Sequence, residues 1–326
     1  GGTQSIINFD SIHNLFHPST VDACYIHPGG GKCPGIKERG KWCIDGHKNR
    51  IVHIGPEELQ IIANTFEDGA EYTTTKLVSI HAIDIITVLR ALSTFPTHVR
   101  DYDRVITEGL HETNAVDEGI MVRQSSYTSI DNYETIYSGP HFFVSNPLYK
   151  NPRTNCKLNS DYDTLNLLNI PEDYIPRTNY KPIVSESKFK NLIPGFCIED
   201  TGDEIVYDAW IDYYKLAFRR MVGAGSERTL SGAILPTKVS HSGAVISIIF
   251  KDERLLVELT ALSSSVPLDF YLKSIGAMNF HTSRVESLPL GIQEKDRNPL
   301  IVRALMLNCL TKPYSILWEK CYQETF

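Results

Sequence analysis

Trp210-Ile211-Asp212-Tyr213-Tyr214-Lys215-Leu216-Ala217-Phe218-Arg219-Arg220-Met221-Val222 precedes two branched runs, Thr229-Leu230-Ser231-Gly232-Ala233-Ile234-Leu235 and Val245-Ile246-Ser247-Ile248-Ile249-Phe250. In the first run Trp210, Tyr213, Tyr214, Ala217, Phe218 and Met221 recur at three- and four-residue intervals. That spacing predicts an amphipathic helix over 210–222. The other two runs are short and rich in branched residues, which predicts strands over 229–235 and 245–250. Further on, the apolar spacing predicts helices over 254–262 and 268–275, a strand over 285–288, and closing helices over 300–310 and 314–322. Strands mixed with helices, without strict βαβ alternation, define an α+β (mixed α/β) class.

Upstream, Ile51-Val52-His53-Ile54 reads as a short strand. Pro56-Glu57-Glu58 then opens a helix, with Pro in the first turn and acids at the positive end of the dipole. A longer helix is predicted over 77–92, stopped by Pro96. From 110 to 182 the texture turns to Asn, Asp, Tyr, Pro and Ser, with a strand predicted over 141–144 and an extended segment over 171–182. The expected organisation is a mostly helical N-terminal connector over 1–140, an extended linking segment over 141–200, and a mixed α/β domain over 201–326.

The chain has 326 residues, long enough for two ordinary domains, and 42% apolar with 22% charged residues exclude a disordered or fibrous protein. No apolar run reaches the roughly 18 residues of a membrane span, and no basic-then-apolar leader is seen, so a cytoplasmic protein without a membrane partner is expected. The chain starts Gly1-Gly2-Thr3 without Met, which reads as a piece of something longer. The net charge is −7, but residues 201–326 hold 14 basic and 14 acidic side chains while residues 1–200 hold 18 and 25. A polyanion would therefore meet the second half.

Seven cysteines at irregular spacing read as reduced thiols. Cys24, His27, Cys33, Cys43 and His47 are of the types a tetrahedral zinc requires. No CxxC pair is present, and the intervening glycines could close a compact loop without metal, so both readings stay open. Asn146-Pro147-Leu148-Tyr149 has the outline of the loop by which amino-group DNA methyltransferases grip a flipped base. Leu replaces the second Pro, and no Gly-rich cofactor turn follows a strand, so the loop reads as a structural turn. Neither a nucleophile elbow nor a phosphate loop ending in Lys-Ser/Thr is found. Arg219, Arg220, Arg228, Lys238 and His241 gather around the turn at 223–226, beside Ser226, Thr229, Ser240 and Ser242. Such a set could hold phosphate oxygens while Arg or Glu reads base edges. It could equally be a solvated surface in which Arg228 pairs with Glu227 or a carbonyl.

Several runs carry a family resemblance. The stretch from Ser138 to Lys150 (Ser-Gly-Pro-His-Phe-Phe-Val-Ser-Asn-Pro-Leu-Tyr-Lys) and Pro176-Arg177-Thr178-Asn179-Tyr180 resemble the region downstream of the catalytic domain in large bacterial DNA N6-adenine methyltransferases. These belong to type IIG-like restriction–modification and related phage-defence systems. Tyr214-Lys215-Leu216-Ala217-Phe218-Arg219-Arg220, Glu227-Arg228-Thr229-Leu230 and Ala233-Ile234-Leu235-Pro236 resemble the start of their target-recognition domain. The stretch from Ser264 to Gly276, Asn279-Phe280 and Ser287-Leu288-Pro289-Leu290 resemble its end, and the Leu-Pro-Leu ending is also similar to type I specificity subunits. The similarity is best over about 138–310; upstream it is thin, through Cys33-Pro34-Gly35-Ile36-Lys37 and His111-Glu112-Thr113.

The resemblance implies a sequence-specific DNA-recognition region of an adenine-specific DNA methyltransferase, without its catalytic core. Double-stranded DNA and the methyltransferase domain of the same parent chain would be its partners. No cofactor is expected in this chain; S-adenosylmethionine would bind the parent's catalytic domain. No catalytic or metal residue is assigned. Arg219, Arg220, Lys238 and Lys273 would hold phosphates. Glu227, Arg228, His241 and Asn279 would approach base edges, with the Ser226 and Thr229 hydroxyls beside them. The alternatives are a complete S-adenosylmethionine-dependent methyltransferase using the divergent loop Asn146–Tyr149, and an interaction scaffold stapled by zinc.

Overall fold

The run at 210–222 folds as a 3-10 turn, Trp210–Asp212, followed by the strand Lys215–Arg219. The predicted amphipathic helix is thus replaced by the central strand of a sheet. Gly232–Leu235 pairs antiparallel on one side and Val245–Phe250 on the other. Arg104–Thr107 pairs with Val245–Phe250 and completes the four-stranded sheet. Lys215, Leu216, Ala217 and Phe218 are all buried, as are all residues of the two neighbouring strands. A strand covered on both faces needs no polar alternation, and a short apolar run of that kind has no period that separates it from a helix. Ala217, Ala233, Leu235 and Val245 form one packed cluster with Tyr137, Phe142 and Val239. The helix Glu253–Ser263 packs against three of the four strands.

The structure, a computed structural model, describes residues 6–323 apart from 68, 130–131, 143–145, 224–227 and 276–278, and does not describe the side chains of 126, 132 and 275. The chain forms two compact units, Gly1–Pro96 with Phe270–Gly276, and Thr97–Asp269 with Ala277–Phe326. The division follows Pro96, away from the expected boundaries at 140 and 200. Arg104–Thr107 belongs to the central sheet of the second unit, a pairing across more than 130 residues that local composition does not carry. Helices and strands both contribute throughout, so the mixed α+β class holds.

In the first unit, Pro56–Phe66 is the predicted helix, and the Glu58 carboxylate accepts the Gly55 N–H at 3.0 Å. Its Leu59, Ile61 and Ile62 pack with Ile86 and Leu89 of the helix Asp84–Ser93 and with Val52 and Ile54. Val52–Ile54 pairs antiparallel with Phe9–Ser11. The predicted helix over 77–92 begins only at Asp84. Its first residues are held outside the helix, where His81 Nε2 donates to the Pro34 carbonyl at 2.9 Å and the Ile83 N–H donates to the Asn49 carbonyl at 2.8 Å.

In the second unit, the strand expected over 285–288 is replaced by the helix Thr282–Glu286 and the strand Pro289–Leu290, which pairs with Thr97–His98. Where a strand was expected from 141, Gly139–His141 is a 3-10 turn, and residues 143–145 lie outside the described set. The closing helices are Glu294–Asn308 and Ser315–Cys321. Buried Glu258 ties the first of them inward. Its carboxylate pairs with Arg297 at 2.6 Å and accepts the Gly291 and Ile292 N–H groups at 2.7 Å each. No single helix among the described residues is long and apolar enough to cross a membrane.

A candidate nucleic-acid interface

A cleft of about 260 Å³ opens in the second unit. One wall is a two-stranded antiparallel ribbon, Met121–Thr128 with Arg177–Pro182. Arg123 lies opposite Tyr180 and Tyr127 opposite Thr178, so three residues, 124–126, face the single Asn179. This is an enlarged β-bulge, and bulges of this kind re-aim side chains at functional rims. On the partner strand Thr178, Tyr180 and Pro182 turn inward, while Arg177, Asn179 and Lys181 stay half-buried. Arg123, Gln124 and Ser125 are exposed.

The opposite wall comes from Ser138, Gly139 and Pro140, with Arg219 at the end of the central strand and Met221 just beyond it. Ser138–Pro140 is fixed by buried His141, whose Nε2 donates to the Arg177 carbonyl at 2.9 Å while Nδ1 accepts the Ser138 N–H at 3.1 Å. Burial lowers the pKa of this imidazole and keeps it neutral. The Asn179 amide donates to the Tyr162 hydroxyl at 2.8 Å, and that hydroxyl lies 3.2 Å from Ser138 Oγ. Burial pushes the Tyr162 phenol up to about 12. Tyr180 is raised as well, by burial first and then by the Glu112 carboxylate beside it. Both hydroxyls therefore remain protonated hydrogen-bond donors. Among the described residues, the Arg123 and Arg219 guanidinium groups have no hydrogen-bond or ion-pair partner. The lining thus offers two free cations, one carboxylate, two amides and three hydroxyls.

The structure does not gather the ten expected contact residues on one surface. Arg219 lines the cleft, Asn279 is exposed beside it through a backbone bridge to Met221, and Lys238 is exposed at a left-handed turn with φ +62°. His241 is wholly buried. Its Nε2 lies 2.8 Å from Ser247 Oγ, Nδ1 lies 3.1 Å from the Ser242 carbonyl, and the ring stands edge-on to Trp210. Burial lowers its pKa to about 3, so it is an uncharged core residue that no base can reach. Thr229 is also buried, and its N–H donates to Asp269 at 2.7 Å. Arg220 pairs with Glu108 at 2.7 Å and donates to the Gly243 carbonyl. Lys273 belongs to the Phe270–Gly276 segment of the first unit. Ser226 and Glu227 lie outside the described residues.

Arg228 is the residue whose expected role changes most. Its guanidinium donates to the Ser263 carbonyl at 3.2 Å and stands 3.7 Å from the Asp269 carboxylate, which also accepts the Leu230 N–H. It ties the Gly232–Leu235 strand's entry to the end of a helix. Arg228→Ala is expected to lower stability by about 1–2 kcal/mol, the loss of a charge-assisted bond. It should leave any DNA sequence preference unchanged, which urea denaturation together with a binding series on variant duplexes would measure.

Two further expectations meet the structure here. Asn146 is buried, its amide donates to the Leu307 carbonyl at 2.8 Å, and its carbonyl accepts the Leu148 N–H at 2.8 Å. With Asn146 buried and both ends of its amide engaged, Asn146-Pro147-Leu148-Tyr149 is a turn held to the body of the second unit. Among the described residues, no three His, Cys, Asp or Glu side chains are grouped to hold a metal ion. In the Cys/His segment, His47 Nδ1 accepts the Asn49 N–H and Nε2 donates to the Gly30 carbonyl, while His27 Nδ1 accepts the Gly29 N–H.

Arg123, Asn159 and Tyr162 carried no local signal of a site, and Glu112 stood only in the thin resemblance of His111-Glu112-Thr113. Asn179 and Tyr180 stand in the run Pro176–Tyr180, but only ribbon pairing brings that run to Arg123. No protein-family model matches the chain, and no curated protein is similar to it.

Proposed function

We propose that the second unit is a sequence-specific DNA-recognition region of an adenine-specific DNA methyltransferase from a restriction–modification or phage-defence system. Methyl transfer from S-adenosylmethionine would belong to a catalytic domain of the same parent chain. The observation that carries the reading is the bulged polar ribbon beside a cleft whose two arginines have no partner among the described residues. A two-stranded ribbon fits the major groove, and Arg and Gln are the side chains that grip guanine and adenine edges in pairs of hydrogen bonds. Gln124, exposed on the bulge, takes that role. Arg123, at the edge of the bulge, joins Arg219 and Lys238 in holding backbone phosphates, which set affinity and register without reading sequence.

Fluorescence anisotropy of a labelled duplex against the full chain tests the proposal. Affinity is expected to fall at least tenfold between 50 and 200 mM salt, as counterion release from several phosphate contacts requires. A duplex that fails to bind at the lower salt, or binds without salt dependence, overturns it.

A further inference from the structure

We infer that the cleft is a nucleotide pocket, a site for one 5′-phosphorylated nucleoside with its phosphate on Arg123 and Arg219 and its base edge on Glu112. The choice of a nucleotide among anions of this shape rests on the nucleic-acid reading above. Guanidinium groups present fixed forks of donors that match phosphate oxygens. Elsewhere in the second unit Arg177 and Arg284, outside this cavity, also lack an ion pair among the described residues, while Arg104, Arg153, Arg220 and Arg297 are each paired with a carboxylate. Arg123 and Arg219 are not, among the described residues, although both line one cavity.

Glu112 in the same cavity fixes the other end of the ligand. A carboxylate repels bare phosphate and accepts N–H groups, so the ligand must carry donors away from its anion. Cytosine, adenine and guanine present an exocyclic amine there, and a carboxylate is the side chain that accepts from the cytosine amine. The Asn159 and Asn179 amides can both donate and accept, and the Asn179 carbonyl oxygen has no partner among the described residues. Met221, 77% exposed at the rim, can lie across a base. About 260 Å³ lies just below the usual range of ligand sites, so the cleft suits one partly exposed nucleotide unit and not a stacked pair.

Calorimetric titration of the full chain with CMP, AMP, GMP, UMP and inorganic phosphate tests this. An amine-bearing nucleotide is expected to bind 1:1, at least tenfold tighter than inorganic phosphate. Arg219→Ala should weaken every nucleotide at least tenfold with an unchanged thermal melt, and Glu112→Gln should narrow the gap between CMP and UMP. A short single-stranded oligonucleotide that outcompetes the mononucleotide identifies the strand as the source; one that fails to compete identifies the free nucleotide. The pocket is overturned if no nucleotide binds, if none exceeds phosphate, or if Arg219→Ala binds as the unaltered chain does. Salt-dependent duplex binding that survives such a result overturns the pocket alone; loss of both overturns the DNA reading with it.

Discussion

Replacing Gly109 by alanine is expected to cost the second unit about 4 kcal/mol, combining left-handed strain with overpacking. Gly109 has φ +67°, and a Cβ there would sit 2.4 Å from both Nδ1 and the carbonyl oxygen of His241. His241 cannot withdraw. Its carbonyl accepts the Leu110 N–H at 3.0 Å, its ring is held by Ser247, and Trp210 closes the remaining side. For a unit of this size the loss corresponds to a fall of roughly 10 °C in Tm. Gly119 separates the two contributions. It has φ +66° with nothing within 4 Å of its Cβ position, so Gly119→Ala should show the backbone strain alone, about 1 kcal/mol. Thermal melts of the two variants check this; equal melts would contradict the packing of His241.

The second large effect is at Lys215. Its ammonium is fully buried at the start of the central strand, with no ion-pair partner among the described residues. It donates to the Tyr213 carbonyl at 2.7 Å, with those of Ile211, Pro236 and Val239 at 3.2–3.4 Å, and lies 4.7 Å from the Trp210 ring centre. Lys215→Met keeps the stem and leaves these carbonyls without their donor, a loss of about 3 kcal/mol near neutral pH. Burial lowers the lysine pKa to about 7, with Asp212 opposing weakly. The unfolded chain therefore keeps a proton that the folded one releases between about pH 7 and the ordinary value of 10.5. Across that window this group makes the protein more stable as pH rises, and below it contributes no slope. Urea denaturation at several pH values should show the rise in the unaltered chain and its absence in Lys215→Met. A variant with the same midpoint and the same slope would contradict the buried cage.

How far the sequence could be read follows from the same residues. The helix at Pro56 and the strand at 245–250 were legible because their signals are local: a proline with acids in the first turn, and an unbroken branched run. The strand Lys215–Arg219 was not. Its apolar side chains satisfy a helical period by accident, and its strand character depends on neighbours on both sides. The lysine that the helix reading would have placed on a solvated face is the buried hub of a carbonyl cage. The expected basic cluster dissolved for a related reason. Charge in a sequence does not reveal its partner, and Arg220 and Arg228 are engaged by Glu108 and Asp269, far away in the chain. Arg219 kept its expected accessibility, yet its companion Arg123 arrives through a ribbon paired across more than 50 residues. The bulge that exposes Gln124 follows from a register shift, which no local pattern encodes.

The central claim is most directly tested by incubating the full chain with a pool of random-sequence duplexes at moderate salt and sequencing the retained fraction. Enrichment of one motif is expected, with Gln124→Ala relaxing preference at a position of that motif while Lys238→Ala lowers recovery evenly across sequences. A retained pool indistinguishable from the input, or no retention at any salt, would contradict it.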